Sequence, residues 1–181
     1  MKRLTLALTA AALATLPNAA IAQQVGTTGS DTGPSLTRGQ SELLNFLDES
    51  NLSKRLAGWV LDIPAPDRDR FYFLLQQRDS EATMDFLEAK AEEGEVWAMK
   101  QIGLIYARGD IVEYDVVRSL NWFATAAERG DGDSALILGA VYTRGDLIRP
   151  DAEKAEYWLT RANAFGDYRT KRDVERLRAK G

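Results

Sequence analysis

The chain has 181 residues, a formal net charge of −4, no cysteine and no histidine. These absences exclude disulfide staples, thiolate nucleophiles, Ser-His-Asp triads and histidine-ligated zinc. The mild acidity argues against nucleic acid or an anionic membrane surface as the main partner, because either favours a basic face.

Lys2 and Arg3 precede an apolar run from Leu4 to Leu16, and Ala20, Ile21 and Ala22 follow as a small-x-small site. This pattern predicts a secretory signal peptide over residues 1–22, cleaved near Ala22. The apolar run of 13 residues is shorter than the roughly 20 helical residues that span a bilayer. The expected location is therefore the periplasm, without stable membrane insertion after cleavage. Loss of Lys2 and Arg3 with the leader takes the net charge from −4 to −6. An exported chain without disulfides must be held by packing alone.

Residues 23–39 contain four glycines, four threonines, two serines and a proline, with almost nothing apolar to bury. Such a composition predicts a flexible linker. Residues 40–94 read as N-terminal helices. Leu43, Leu44, Phe46 and Leu47 lie at helical spacing after Ser41, and a second short helix is expected over Leu52 to Leu61, stopped by Pro64 and Pro66. A third starts near Asp67 and carries Phe71 to Leu75. Ser80 then precedes a clearer helix, Glu81 to Glu93, with Met84, Phe86, Leu87 and Ala91 on its apolar side.

From here the chain repeats itself at a spacing of 36 residues: Gly94, Gly130 and Gly166 fall in step, as do Gly103 and Gly139, Tyr106 and Tyr142, Gly109 and Gly145, Asp115 and Asp151, and Trp122 and Trp158. A period of this size signals an array of supersecondary units, each burying its apolar face by stacking on its neighbours. Residues 95–130 and 131–166 read as two full repeats, each a pair of antiparallel helices, A and B, and residues 67–94 as a degenerate one that lacks the long connecting loop. Asp115 and Asp151 are expected N-caps of the B helices. Gly130 and Gly166 suit a left-handed turn after a helix. Glycine inside a helix costs about 1 kcal/mol relative to alanine, so Gly103 and Gly139 are expected to mark close helix approach, with the Trp122 or Trp158 indole filling the notch. After Gly166 the pattern starts again and fails: Val174 and Leu177 keep the apolar stripe while Arg172, Asp173 and Glu175 make the outer face polar. Residues 167–181 therefore read as a terminal capping helix.

The series Ala98, Ile102, Gly103, Tyr106, Gly109, Val112, Asp115, Arg118, Trp122, Ala126, Ala127, Gly130 resembles the Sel-one-like repeat, a relative of the tetratricopeptide repeat with a longer loop in each hairpin. Ser134, Leu138, Gly139, Tyr142, Gly145, Ile148, Asp151, Lys154, Ala155, Trp158, Ala162 and Gly166 follow it in the second unit. The resemblance implies an all-α fold, a right-handed α-solenoid acting as adaptor or regulator, and an exported bacterial member whose partner is a protein or peptide of the cell envelope. Ile111 and Leu147 stand where the family usually has a second loop glycine. Secreted cysteine-rich members join their helices by disulfides and some act on β-lactams, but this chain has none of those cysteines. A cell-wall or β-lactam hydrolase is the rival reading.

Candidate partner-binding residues are Trp97, Lys100 and Gln101 on the first A helix, Asp133 at the position equivalent to Trp97, and Arg108 and Arg144 at the A-helix ends. An exposed tryptophan is a frequent interface anchor, and packing of Trp97 against the preceding degenerate repeat is the alternative reading. The two Arg-Gly-Asp tripeptides, at 108–110 and 144–146, fall on the turn that the repeat itself demands. Asp110, Glu113 and Asp115 suggest an oxygen-ligand calcium loop, but the second loop has Arg149 and Pro150 opposite Glu113 and Tyr114. The carboxylate pairs Glu92 with Glu93 and Asp67 with Asp69 read as solvated charge, so no metal, cofactor or catalytic residue is expected.

Overall fold

A computed structural model of the chain describes residues 59, 62–145 and 147–179. The expected leader (1–22), linker (23–39) and first helix near Ser41 lie outside these residues, as does the second helix apart from Trp59. Among the described residues there are seven helices and no strand. They are α1 (Ala65–Gln77), α2 (Ser80–Glu92), α3 (Val96–Arg108), α4 (Val116–Glu128), α5 (Gly132–Arg144), α6 (Ala152–Phe165) and α7 (Tyr168–Arg178). Each packs on its neighbour in the chain, and α7 packs on both α5 and α6. The molecule is an α-solenoid of helix pairs. Pro64 and Pro66 flank the start of α1, where a missing N–H costs nothing, so the prolines that stop the preceding segment also open this helix.

Acidic N-caps set the helix starts. The carboxylates of Asp79, Asp115 and Asp151, 36 residues apart, accept from the backbone N–H groups of Ala82, Arg118 and Lys154 at 3.0, 2.9 and 3.0 Å. Asp131 and Asp167 do the same for α5 and α7, accepting from Ser134 and Thr170 at 2.8 Å each. Each satisfies a donor that the helix leaves unpaired and complements the positive end of its dipole. At the other end of the A helices, Gly109 and Gly145 adopt φ of 68° and 70°, a left-handed turn that a Cβ disfavours. The loop then folds back onto a tyrosine: the Tyr106 and Tyr142 carbonyls accept from the Asp115 and Asp151 N–H groups, both at 3.1 Å. Arg118 and Lys154 lie 5.5 and 5.4 Å from the Tyr106 and Tyr142 ring centroids.

Burial separates the helix types. Helix α3 is buried continuously from Trp97 to Ala107, as expected for a helix apolar on all sides and enclosed by neighbours. Helix α6 buries only Ala155, Trp158, Leu159 and Ala162, a single stripe at i, i+3, i+4 and i+7.

The glycine notches are real, but the wedges are not the indoles. A Cβ on Gly103 would lie 3.0 Å from the Phe123 ring, and one on Gly139 would lie 2.6 Å from Leu159 Cδ2. The next residue fills each notch because Trp122 and Trp158 point one position round the helix, some 100° away. Phe123 is wholly buried whereas Trp122 is only partly so. Gly166 is a second correction: with φ −77° and ψ 158° it is extended, not left-handed. Its requirement is steric. A Cβ there would meet Thr170 Cγ2 at 2.3 Å, and one on Gly132 would meet Gly166 Cα at 2.3 Å, so the start of α5 touches the α6–α7 turn backbone to backbone.

Candidate functional site

The structure divides the candidate partner-binding residues into three groups. Trp97 is in the core, 5 % exposed, its ring 6.2 Å from that of Phe86 on the preceding helix. It presents no anchor at the surface, because α2 covers the face of α3 that an isolated hairpin would leave open. Gln101 is buried on the same helix. Arg108 and Arg144 are exposed at the ends of α3 and α5, with Arg108 Nε 3.8 Å from Asp110 Oδ2. Eight residues of helix, about 12 Å, separate Arg108 from Lys100. Lys100 and Asp133, by contrast, come together at the opposite end, where the N-termini of α5 and α7 converge.

These two residues hold Trp59, which lies far outside the repeats in sequence. Its ring is 2 % exposed, set edge-on to Phe123 of α4 at 6.3 Å and 63°. Lys100 Nζ stands 4.8 Å from the indole centroid, within cation–π range. The indole Nε1 donates to Asp133 Oδ2 at 2.9 Å. Thr170 of α7, wholly buried, places its hydroxyl 2.7 Å from the other oxygen, Asp133 Oδ1, and 2.9 Å from Asp167 Oδ1. Three residues beyond Trp59, Asp62 Oδ2 pairs with Lys100 Nζ at 3.1 Å, while Asp131 Oδ1 takes the same ammonium at 3.2 Å. A cleft of about 320 Å³ continues beside Trp59 over Asp131, Gly132, Gly166, Asp167 and Arg169.

The chemistry of this cleft is recognition. One buried cation, carboxylates fixed at helix N-termini and an edge-on phenyl ring, the groups that surround Trp59, suit a ligand with an aromatic ring, an N–H donor and a negative charge. The carboxylates at 131, 133 and 167 lie at the N-terminal ends of α5 and α7, where the helix dipoles are positive. Sequence reasoning found Lys100 and Asp133 and missed Trp59, Phe123 and Thr170. Phe123 was legible as the middle of an apolar series, Leu87, Phe123 and Leu159, at 36-residue spacing. Trp59 has no repeat counterpart and only its size marks it.

The family model for the Sel1 repeat matches residues 98–131 and 132–174. The chain carries two Sel1 repeats. The first matched Sel1 unit takes in most of α3 and all of α4, and the second takes in α5, α6 and the first half of α7. The helix-borne groups around Trp59, namely Lys100, Phe123, Asp133 and Thr170, thus all fall in matched residues, whereas Trp59 and Asp62 lie outside them. No curated protein matches the chain. Sel1 repeats generally mediate protein–protein interaction. No helix among the described residues is long and apolar enough to cross a membrane.

Proposed function

We propose that this Sel1-repeat protein is a non-enzymatic interaction module, an adaptor or regulator that binds an envelope protein or peptide in the periplasm after export through residues 1–22. The observation that carries the binding reading is the cleft at the N-terminal ends of α3, α5 and α7. There a buried lysine, an oriented carboxylate and an edge-on phenyl ring from two successive Sel1 units converge on one indole. The basic start, the apolar run and the Ala20-Ile21-Ala22 site support export.

Crosslinking in intact cells, followed by mass spectrometry, tests the reading. The expected result is a discrete envelope protein joined to residues around the cleft, with the chain recovered from the periplasmic fraction without its first 22 residues. A chain recovered from the cytoplasm with its leader intact, or one that captures nothing while turning over a muropeptide or β-lactam, would defeat it.

A further inference from the structure

Trp59 and Asp62 do not belong to the repeat, yet they occupy a site whose other groups come from α3, α4, α5 and α7. We infer that this site is a receptor for a partner segment bearing a tryptophan and, three residues later, a carboxylate, and that Trp59 with Asp62 is the chain's own occupant of it, displaced when the partner binds. The inference rests on the interaction reading above and names the ligand chemistry of its cleft.

Three observations carry it. First, Trp59 is held by directional interactions, a hydrogen bond to Asp133, an ammonium over its ring and an edge-on aromatic. Apolar burial alone would not need this combination, whereas an indole ligand uses every part of it. Second, the carboxylate is oriented independently of the occupant: Thr170, 37 residues away in the terminal helix, fixes Asp133 Oδ1 and leaves Oδ2 aimed at the indole N–H. Third, release is built in. Asp62 is 56 % exposed at its side chain, and Lys100 keeps Asp131 at 3.2 Å when Asp62 leaves. Losing Asp62 therefore exposes no unpaired buried cation, the event that makes breaking a buried pair expensive. Removing Trp59 takes the indole N–H from Asp133 Oδ2, a hydrogen bond that another indole restores.

The test uses the full chain and a labelled synthetic peptide of residues 57–65, with a control peptide in which alanine replaces the tryptophan. Trp59→Ala, verified as folded by circular dichroism, is expected to bind the peptide at least 10-fold more tightly than the unmodified chain. The control peptide is expected to bind neither, and adding Asp133→Ala is expected to lose the gain. A folded Trp59→Ala chain that binds the peptide no better than the parent overturns the inference. So does a parent chain that runs as a dimer and becomes monomeric on Trp59→Ala, since the cleft would then hold a second copy. Should Trp59→Ala fail to fold, Trp59→Phe keeps an aromatic ring, smaller than the indole, and drops the N–H. It is expected to raise peptide affinity threefold to 10-fold, and no rise overturns the inference equally. Crosslinking separates the two proposals: a partner captured equally by parent and variant sinks the cleft and spares the adaptor. Peptide binding to the variant with no cellular partner does the reverse.

Discussion

The Phe123 ring stands where the Cβ of residue 103 would be, 3.0 Å from that absent atom. Helices α3 and α4 are in register because one side chain enters the space another lacks. Phe123→Ala is expected to cost about 3–5 kcal/mol, the range for truncating a buried aromatic. Trp122→Ala, at a partly buried position, is expected to cost less than half as much. Urea denaturation of the two variants checks this, and equal losses would return the wedge role to the indole.

Gly139→Ala probes the same notch in the second repeat, where the clash with Leu159 Cδ2 is closer, at 2.6 Å. Alanine would gain about 1 kcal/mol in helix propensity, but overpacking costs about 1–3 kcal/mol and wins. Adding Leu159→Ala is expected to recover part of the loss, a non-additivity that a double-mutant cycle measures.

Trp97 has its indole Nε1 buried without a hydrogen-bond partner among the described residues. Trp97→Ala is expected to lose about 3–5 kcal/mol. Trp97→Phe is expected to lose under about 1.5 kcal/mol, because it also removes an unsatisfied donor. Thermal melts of both variants decide whether the ring or the N–H matters at this position.

Lys100 and Asp62 form one pair but should contribute unequally. Lys100→Ala takes the shared cation from Asp62 and from the mostly buried Asp131, and is expected to cost about 2–4 kcal/mol. Asp62→Ala removes an exposed carboxylate and is expected to cost under about 1 kcal/mol. Equal costs in denaturant titrations would mean that Asp62 is a structural strut.

The Asp151 carboxyl is held below the usual carboxylate range, chiefly by the hydrogen bond it accepts from the Lys154 N–H and further by the Lys154 side chain. Because the folded state binds this proton less well, the stability it contributes is complete above the ordinary carboxylate range and disappears as pH falls through the lowered value. Asp151→Asn is expected to melt below the parent at pH 7, with the two midpoints converging only as pH falls through the lowered value. A gap that stays constant with pH would show that the charge at the cap is immaterial.

Period and polarity exposed most of the architecture before any coordinates. Tyr106, Gly109 and Asp115 recur at 142, 145 and 151 because each meets a local demand of the hairpin, and local demands are written in sequence. The identity of the wedge was harder: tryptophan and its apolar successor both repeat, and only helix rotation decides which one faces the glycine. Gly166 kept its place in the series while changing its reason, from a left-handed turn at residue 130 to backbone contact with Gly132. Half of the candidate cleft was legible, Lys100 and Asp133, as charged positions on otherwise apolar helices. Trp97 left two readings open, anchor or packing against the preceding repeat, because its neighbour at 36-residue spacing is polar; Phe86 of α2 decides for packing. Trp59 was invisible as a site residue, since its partners are 64 and 74 positions away and no periodicity links them.

Through the carboxylate of Asp133, the hydroxyl of Thr170 ties the last helix to Trp59, at the beginning of the described residues. Nicking or trimming the protein between 168 and 178 should therefore register as a change in Trp59 emission, so the two ends of the described chain report on each other without touching.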